Sequence, residues 1–198
     1  MLAGRGLEHT GGTIDKLESI PGYDTSLSIK NFKKNVENVG ISIMSQTKDI
    51  CPADKKIYAL RDITKTVVSF PLICGSIMSK KIAEGIQGLI LDIKIGNGAF
   101  MKNLLDGKKL GLLLKEVGKV HGINVFPCYT NMNQPLGNYA GLWCEVLESV
   151  ECLKGNGPKD LMNVVYYLAE KAMYLSKLNF TNDRVKAVIN DGSALNKF

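Results

Sequence analysis

The stretch from Gly4 to Glu18 reads GRGLEHTGGTIDKLE, and its residue types point to the binding of an anion. Glycines let backbone N–H groups come close to a ligand, and the N–H groups of a first helical turn have no partner inside the helix. Thr13-Ile14-Asp15-Lys16-Leu17-Glu18 reads as the opening of a helix, which adds the partial positive charge of a helix N-terminus at the same place. Thr13 is placed either to cap that helix or to offer its hydroxyl to a phosphate oxygen. The spacing fits neither the P-loop nor the dinucleotide-binding GxGxxG fingerprint. Taken alone, the plainer reading is an ordinary loop running into a capped helix.

The elements that must carry this loop alternate. Ile41–Met44 is a short strand candidate. After Pro52, residues 53–65 read as a helix, and a second helix runs from Pro71 to Glu84 and stops at Gly85. Gly88–Gly96 is the clearest strand, β-branched and bounded by glycines. Residues 103–121 have helical period, with Leu110, Leu113, Leu114 and Val117 on one face. Gly122 stops that helix, and 123–129 is a further strand. A loop over 131–138 leads to helices over 142–154 and from Pro158 onward, the latter with Leu161, Val164, Val165, Leu168 and Ala172 on one face. Strand–helix–strand order predicts a mostly parallel α/β sheet. Three strands are few for such a sheet, and Met1-Leu2-Ala3 is a short run-in to the glycine loop, so the expectation is the middle of something larger.

Composition narrows the function classes. The 198 residues are 45% hydrophobic, enough for a real core. A net charge of +6 allows nucleic acid or an anionic small substrate, but the lysines fall in scattered pairs, with no RNP-like aromatic motif and no zinc-finger spacing. No nucleic-acid partner is expected. The five cysteines form no C-x-x-C pair and several lie among apolar neighbours, which predicts buried free thiols in a reducing compartment. Neither a signal-peptide pattern nor a membrane span is read, so the expectation is a cytoplasmic protein with no membrane partner.

Five separated motifs then carry a resemblance. They are Ala3-Gly4-Arg5-Gly6-Leu7-Glu8-His9-Thr10-Gly11-Gly12-Thr13-Ile14-Asp15-Lys16-Leu17-Glu18; Pro52–Lys56 with Tyr58–Asp62; Ser76–Lys81; Leu91–Met101; and Gln134–Gly137. In this order they resemble the thymidine and pyrimidine-nucleoside phosphorylases. The resemblance implies a nucleoside phosphorylase fold, similar also to anthranilate phosphoribosyltransferase, in which 1–52 and 86–198 form part of an α/β phosphate-binding domain. The segment 53–85 then belongs to a small helical lobe. It implies reversible phosphorolysis: phosphate attacks the anomeric carbon of a pyrimidine nucleoside, releasing the base and a pentose 1-phosphate. It implies no cofactor, inorganic phosphate being a substrate, and no metal, although some relatives bind a cation near positions matching Leu136, Tyr139 and Glu148.

By the same resemblance, Arg61 and Lys80 donate to the carbonyls of the leaving base and Ser76 meets its ring-nitrogen edge. Tyr58, Leu7, Val67 and Ile73 line the base pocket, and Thr13 binds phosphate with Gly11 and Gly12. Arg and Lys suit that task because both donate without being protonated during the reaction. The spacing agrees: Tyr58 and Arg61 lie three apart and Ser76 and Lys80 four apart, so each pair shares a helix face. The bland alternative pairs Arg61 with Asp54 or Asp62 in solvent and leaves Lys80 on the surface.

The family pattern is also broken in places. Ala3 stands where the family has a phosphate-contacting serine, and Glu8 where it has glycine. The family's Lys-His-Ser-Thr-Gly-Gly segment has no counterpart here, nor do the helices that make much of its dimer interface. His9 and His121 replace no missing group. The expectation is therefore little phosphorolysis by this chain alone, with a non-catalytic pyrimidine-binding module as the alternative.

Overall fold

Parallel pairing governs every strand in the computed structural model, which describes residues 1–6, 11–47, 49–177 and 182–198, the side chains of Asp62 and Asn182 aside. The chain divides into two compact units, Met1–Gly85 with Ala140–Leu147, and Ile86–Tyr139 with Glu148–Phe198. Residues 1–52 and 53–85, assigned above to different lobes, fall together in the first.

In the first unit, β1 (Leu2–Ala3) pairs with β2 (Met44–Ser45), Leu2 opposite Met44. The strand expected at 41–44 thus starts later: Ile41 is largely exposed, while Met44 is fully buried. Between the two strands lie the short α1 (Thr13–Leu17) and α2 (Ile29–Val39). The latter was not anticipated, although its punctuation is ordinary: Ser28 accepts the Asn31 N–H, and Gly40 ends it at φ 91°.

Next come α3 (Pro52–Ile63) and α4 (Phe70–Ala83), each within a residue or two of its expected bounds. Pro71 opens α4, and Lys80 and Lys81 sit in its last turn, where cations oppose the helix dipole. The helix is apolar nearly all round, so it is covered on two sides. Cys74 and Met78 are buried on one, Ser76 and Lys80 on the other.

The second unit is built on β3 (Gly88–Ile95) and β4 (Asn124–Asn131), in register from Gly88–Asn124 to Ile95–Asn131. They are joined by α5 (Leu104–Val120), which is capped by Asn103, whose side chain accepts the Asp106 N–H. α5 packs on both strands through a seam of Gly107, Gly111 and Gly118, where a Cβ would overlap Ile95, Tyr129 and Val125 respectively. The anticipated leucines flank this seam: Leu110 and Leu114 are buried, Leu113 and Val117 half-buried.

Helix α6 (Leu142–Leu153) begins in the first unit and ends in the second. α7 (Lys159–Leu175) also lies against β3 and β4. Its buried residue is Met162, which clusters with Cys152 and Ile189; Val165 and Ala172, expected on the core face, are exposed. Ile189 comes from α8 (Asn182–Asn190), which with α9 (Ser193–Lys197) completes the chain and was not anticipated. All five cysteines are free; Cys74, Cys128 and Cys152 are buried, Cys51 is half-buried and Cys144 exposed. No described helix is long and apolar enough to cross a membrane.

Candidate functional site

On α3, Asp54, Tyr58 and Arg61 recur at helical spacing and so share one face. On α4, Ser76 and Lys80 do the same. The two faces meet. The Lys80 ammonium lies 2.8 Å from Asp54 Oδ2 and 2.9 Å from Ser76 Oγ, and all three side chains are buried. The Tyr58 ring is flanked by two cations, the Arg61 guanidinium and the Lys80 ammonium, each 5.6 Å from its centroid.

Arg61 is not a solvent-paired side chain. It is 4% exposed, and its Nη2 donates to the carbonyl of Val67. Its Nε has no hydrogen-bond partner among the described residues. A buried donor left unpaired costs about 1–3 kcal/mol, so this group calls for a partner. Asp54 belongs to Lys80 rather than Arg61, and Lys80 is a buried residue, not a surface lysine. Burial pushes the Lys80 pKa down, and the Asp54 carboxylate opposes that push.

Val67, on the turn joining α3 to α4, is fully buried, and Ile73 on α4 is half-buried. Leu7, like Glu8 and His9, lies outside the described residues. Gln46 and the two-helix contact of Asp54 were missed in the sequence. Gln46 Nε2 donates to the same Asp54 oxygen that accepts Lys80.

The glycine loop is braced by its own carboxylates. Asp15 Oδ2 accepts the N–H of Gly6 at 2.8 Å and of Gly12 at 3.2 Å. Arg5 reaches Asp15 Oδ1 and grips both oxygens of Glu18. Burial alone raises the Asp15 pKa, but the Gly6 N–H, Arg5 and Gly12 outweigh it and lower the group. Arg5, seconded by the Thr25 hydroxyl, brings Glu18 down to about 2. Gly12, not Thr13, is the N-cap of α1, and a Cβ there would collide with the Arg5–Gly6 backbone. Thr13 and Gly11 are exposed.

The loop and α3 also touch. Tyr58 donates its hydroxyl to the Arg5 carbonyl at 2.8 Å. A cleft of about 370 Å³ opens there, lined by Ala3, Gly4, Arg5, Gly6, Ser45, Gln46, Lys55 and Tyr58 among others. Tyr58 and Gln46 are thus shared between this cleft and the buried cationic cluster. Elsewhere, Glu148 accepts the N–H of Asn138 at 2.6 Å, Tyr139 is exposed, and no group of three or more metal-binding side chains is found among the described residues. His121 caps the end of α5 and is exposed.

The braced glycine loop and the two buried cations thus lie on one α/β chain. A family profile described as glycosyl transferase family, a/b domain, matches residues 1–195, and the chain belongs to that family. Among its curated relatives are the pyrimidine-nucleoside phosphorylases of Staphylococcus epidermidis (strain ATCC 12228), 46% identical, and Staphylococcus aureus (strain USA300), 45% identical. Both alignments cover all of this chain and 46% of the relative, so the chain spans about half the length of the curated relatives it matches.

Proposed function

We propose that this chain carries the pyrimidine-recognition site and part of the phosphate site of a pyrimidine-nucleoside phosphorylase. The reaction is reversible phosphorolysis of thymidine or a related nucleoside. A phosphate oxygen bonds to the anomeric carbon, and the glycosidic electron pair passes into the base and onto its carbonyl oxygens. No organic cofactor is needed, because phosphate is itself the nucleophile.

The observation that carries this reading is the pair of buried cations beside one aromatic ring, with the Arg61 Nε unpaired among the described residues. Donors fixed where negative charge develops stabilise the transition state most. In this reading Arg61 and Lys80 donate to the base carbonyls and Ser76 faces its ring nitrogen, these three being the catalytic residues. Tyr58, Val67, Ile73 and Leu7 line the pocket; Thr13, Gly11 and Gly12 hold phosphate. The pentose and phosphate then belong near the cleft that Tyr58 shares. The free thiols fit a reducing compartment such as the cytoplasm, and a homodimer is the assembly the family implies.

A second reading, a pyrimidine-binding module without turnover, is favoured by one feature: Ala3 brings no hydroxyl to the cleft. Thymine titrated into isotopically labelled protein tests the shared part of both readings. The amide resonances of Tyr58, Val67, Ser76 and Lys80 should move together and saturate. Shifts confined to other residues would refute the site.

A further inference from the structure

We propose that Asp54 is a positioning residue for base recognition: its carboxylate holds the Lys80 ammonium charged and oriented, leaving one N–H to donate to the ligand. The inference rests on the pyrimidine reading above and deepens it.

Geometry carries the argument. Lys80 is 6% exposed and Asp54 7%. An ammonium has three N–H groups; here one goes to Asp54 Oδ2 at 2.8 Å and one to Ser76 Oγ at 2.9 Å. The third has no hydrogen-bond partner among the described residues. An ammonium this deeply buried sheds its proton unless an anion balances it. A neutral amine at this site would be a poor partner for a base acquiring negative charge. Asp54 supplies that balance from α3, and Gln46 pins the same carboxylate oxygen from the cleft.

The other groups facing Lys80 do not replace it. Cys51, just before α3, is a thiol that burial pushes toward its neutral form, and Lys81 on α4 opposes the charge. The Tyr58 ring stands at 5.6 Å, with Arg61 against the same ring. The simpler account makes Asp54–Lys80 a brace between α3 and α4. A brace predicts weaker folding, but no link between the charge of Asp54 and the pH at which ligand is lost.

The test combines lysine NMR titration with thymine calorimetry between about pH 6 and 10 on the full chain. Lys80 is assigned by the signal missing in Lys80→Arg. In Asp54→Asn, the Lys80 midpoint should fall by more than about one pH unit. The alkaline loss of thymine affinity should move down with it, and Asp54→Glu should restore both. Adding Lys80→Arg to Asp54→Asn should abolish the shifted limb, because guanidinium stays charged.

A folded Asp54→Asn with an unmoved midpoint, or with affinity reduced equally at every pH, overturns the proposal. Thermal unfolding establishes folding, and Asp54→Ser gives the same readout where Asp54→Asn does not fold. Wild type against Lys80→Arg tests the ligand link without any Asp54 variant: beyond the titration of thymine itself, an alkaline limb that persists in Lys80→Arg overturns it. A shifted Lys80 midpoint with no thymine binding by wild type refutes the pyrimidine reading while upholding the coupling of Asp54 to Lys80.

Discussion

Arg5 shows how single residues set the state of the glycine loop. Its guanidinium gathers Asp15 and Glu18, and Asp15 in turn holds the N–H groups of Gly6 and Gly12. Both carboxylates are depressed in the folded chain, Glu18 to about 2 from an ordinary 4.5. A depressed carboxylate contributes its stabilisation above the ordinary pKa and loses it as pH falls through the folded value. The amide proton shifts of Gly6 and Gly12 should therefore hold steady above about pH 5 and change as pH falls toward about 2. Shifts constant over that span contradict the brace. Part of this scale was legible in advance: the Tyr58–Arg61 and Ser76–Lys80 spacings did place those pairs on shared helix faces. Asp54 was not, because its partner Lys80 lies 26 positions away and meets it only through the packing of two helices. Of the two roles open to Thr13, capping α1 falls to Gly12 for a local reason: a Cβ there would collide with the Arg5–Gly6 backbone, and Asp15 accepts the Gly12 N–H.

Elements with length and period were readable, and those without were not. β3, α5 and β4 came out within a few residues of expectation, since Asn103 and Gly122 punctuate the helix and β3 is rich in isoleucine. The two-residue β1 and β2 have no period to read. α2 buries none of its residues, and its lysines hid a capped helix. The glycines of α5 look like helix-weakening residues in the sequence, yet they form the seam on which β3 and β4 rest. A methyl group at Gly111 would run into Tyr129 and Pro127. Gly111→Ala should cost about 1–3 kcal/mol through overpacking, measured by urea unfolding, despite the better helix propensity of alanine. A stabilised Gly111→Ala would mean that the seam is looser than described.

At the scale of the whole molecule, the chain matches its family from end to end yet spans 46% of the relatives' length. The proposed base site draws on Tyr58, Arg61, Ser76 and Lys80, which lie close together in one unit. The proposed phosphate site is less complete. The Gly12 N–H is committed to Asp15, and Ala3 has no hydroxyl. Incubated with thymidine, the chain should release no thymine above the phosphate-free control, followed by ultraviolet absorbance. Robust phosphate-dependent release would show that the loop suffices.

The claim on which the rest depends is that Arg61 and its neighbours bind a pyrimidine base, and calorimetric titration of thymine into the wild-type chain and Arg61→Ala measures it directly. The account predicts saturable binding to wild type. It predicts roughly 10- to 100-fold weaker binding to a folded Arg61→Ala, the loss of hydrogen bonding to one charged donor. No binding to wild type, or equal affinity in the two proteins, would contradict it.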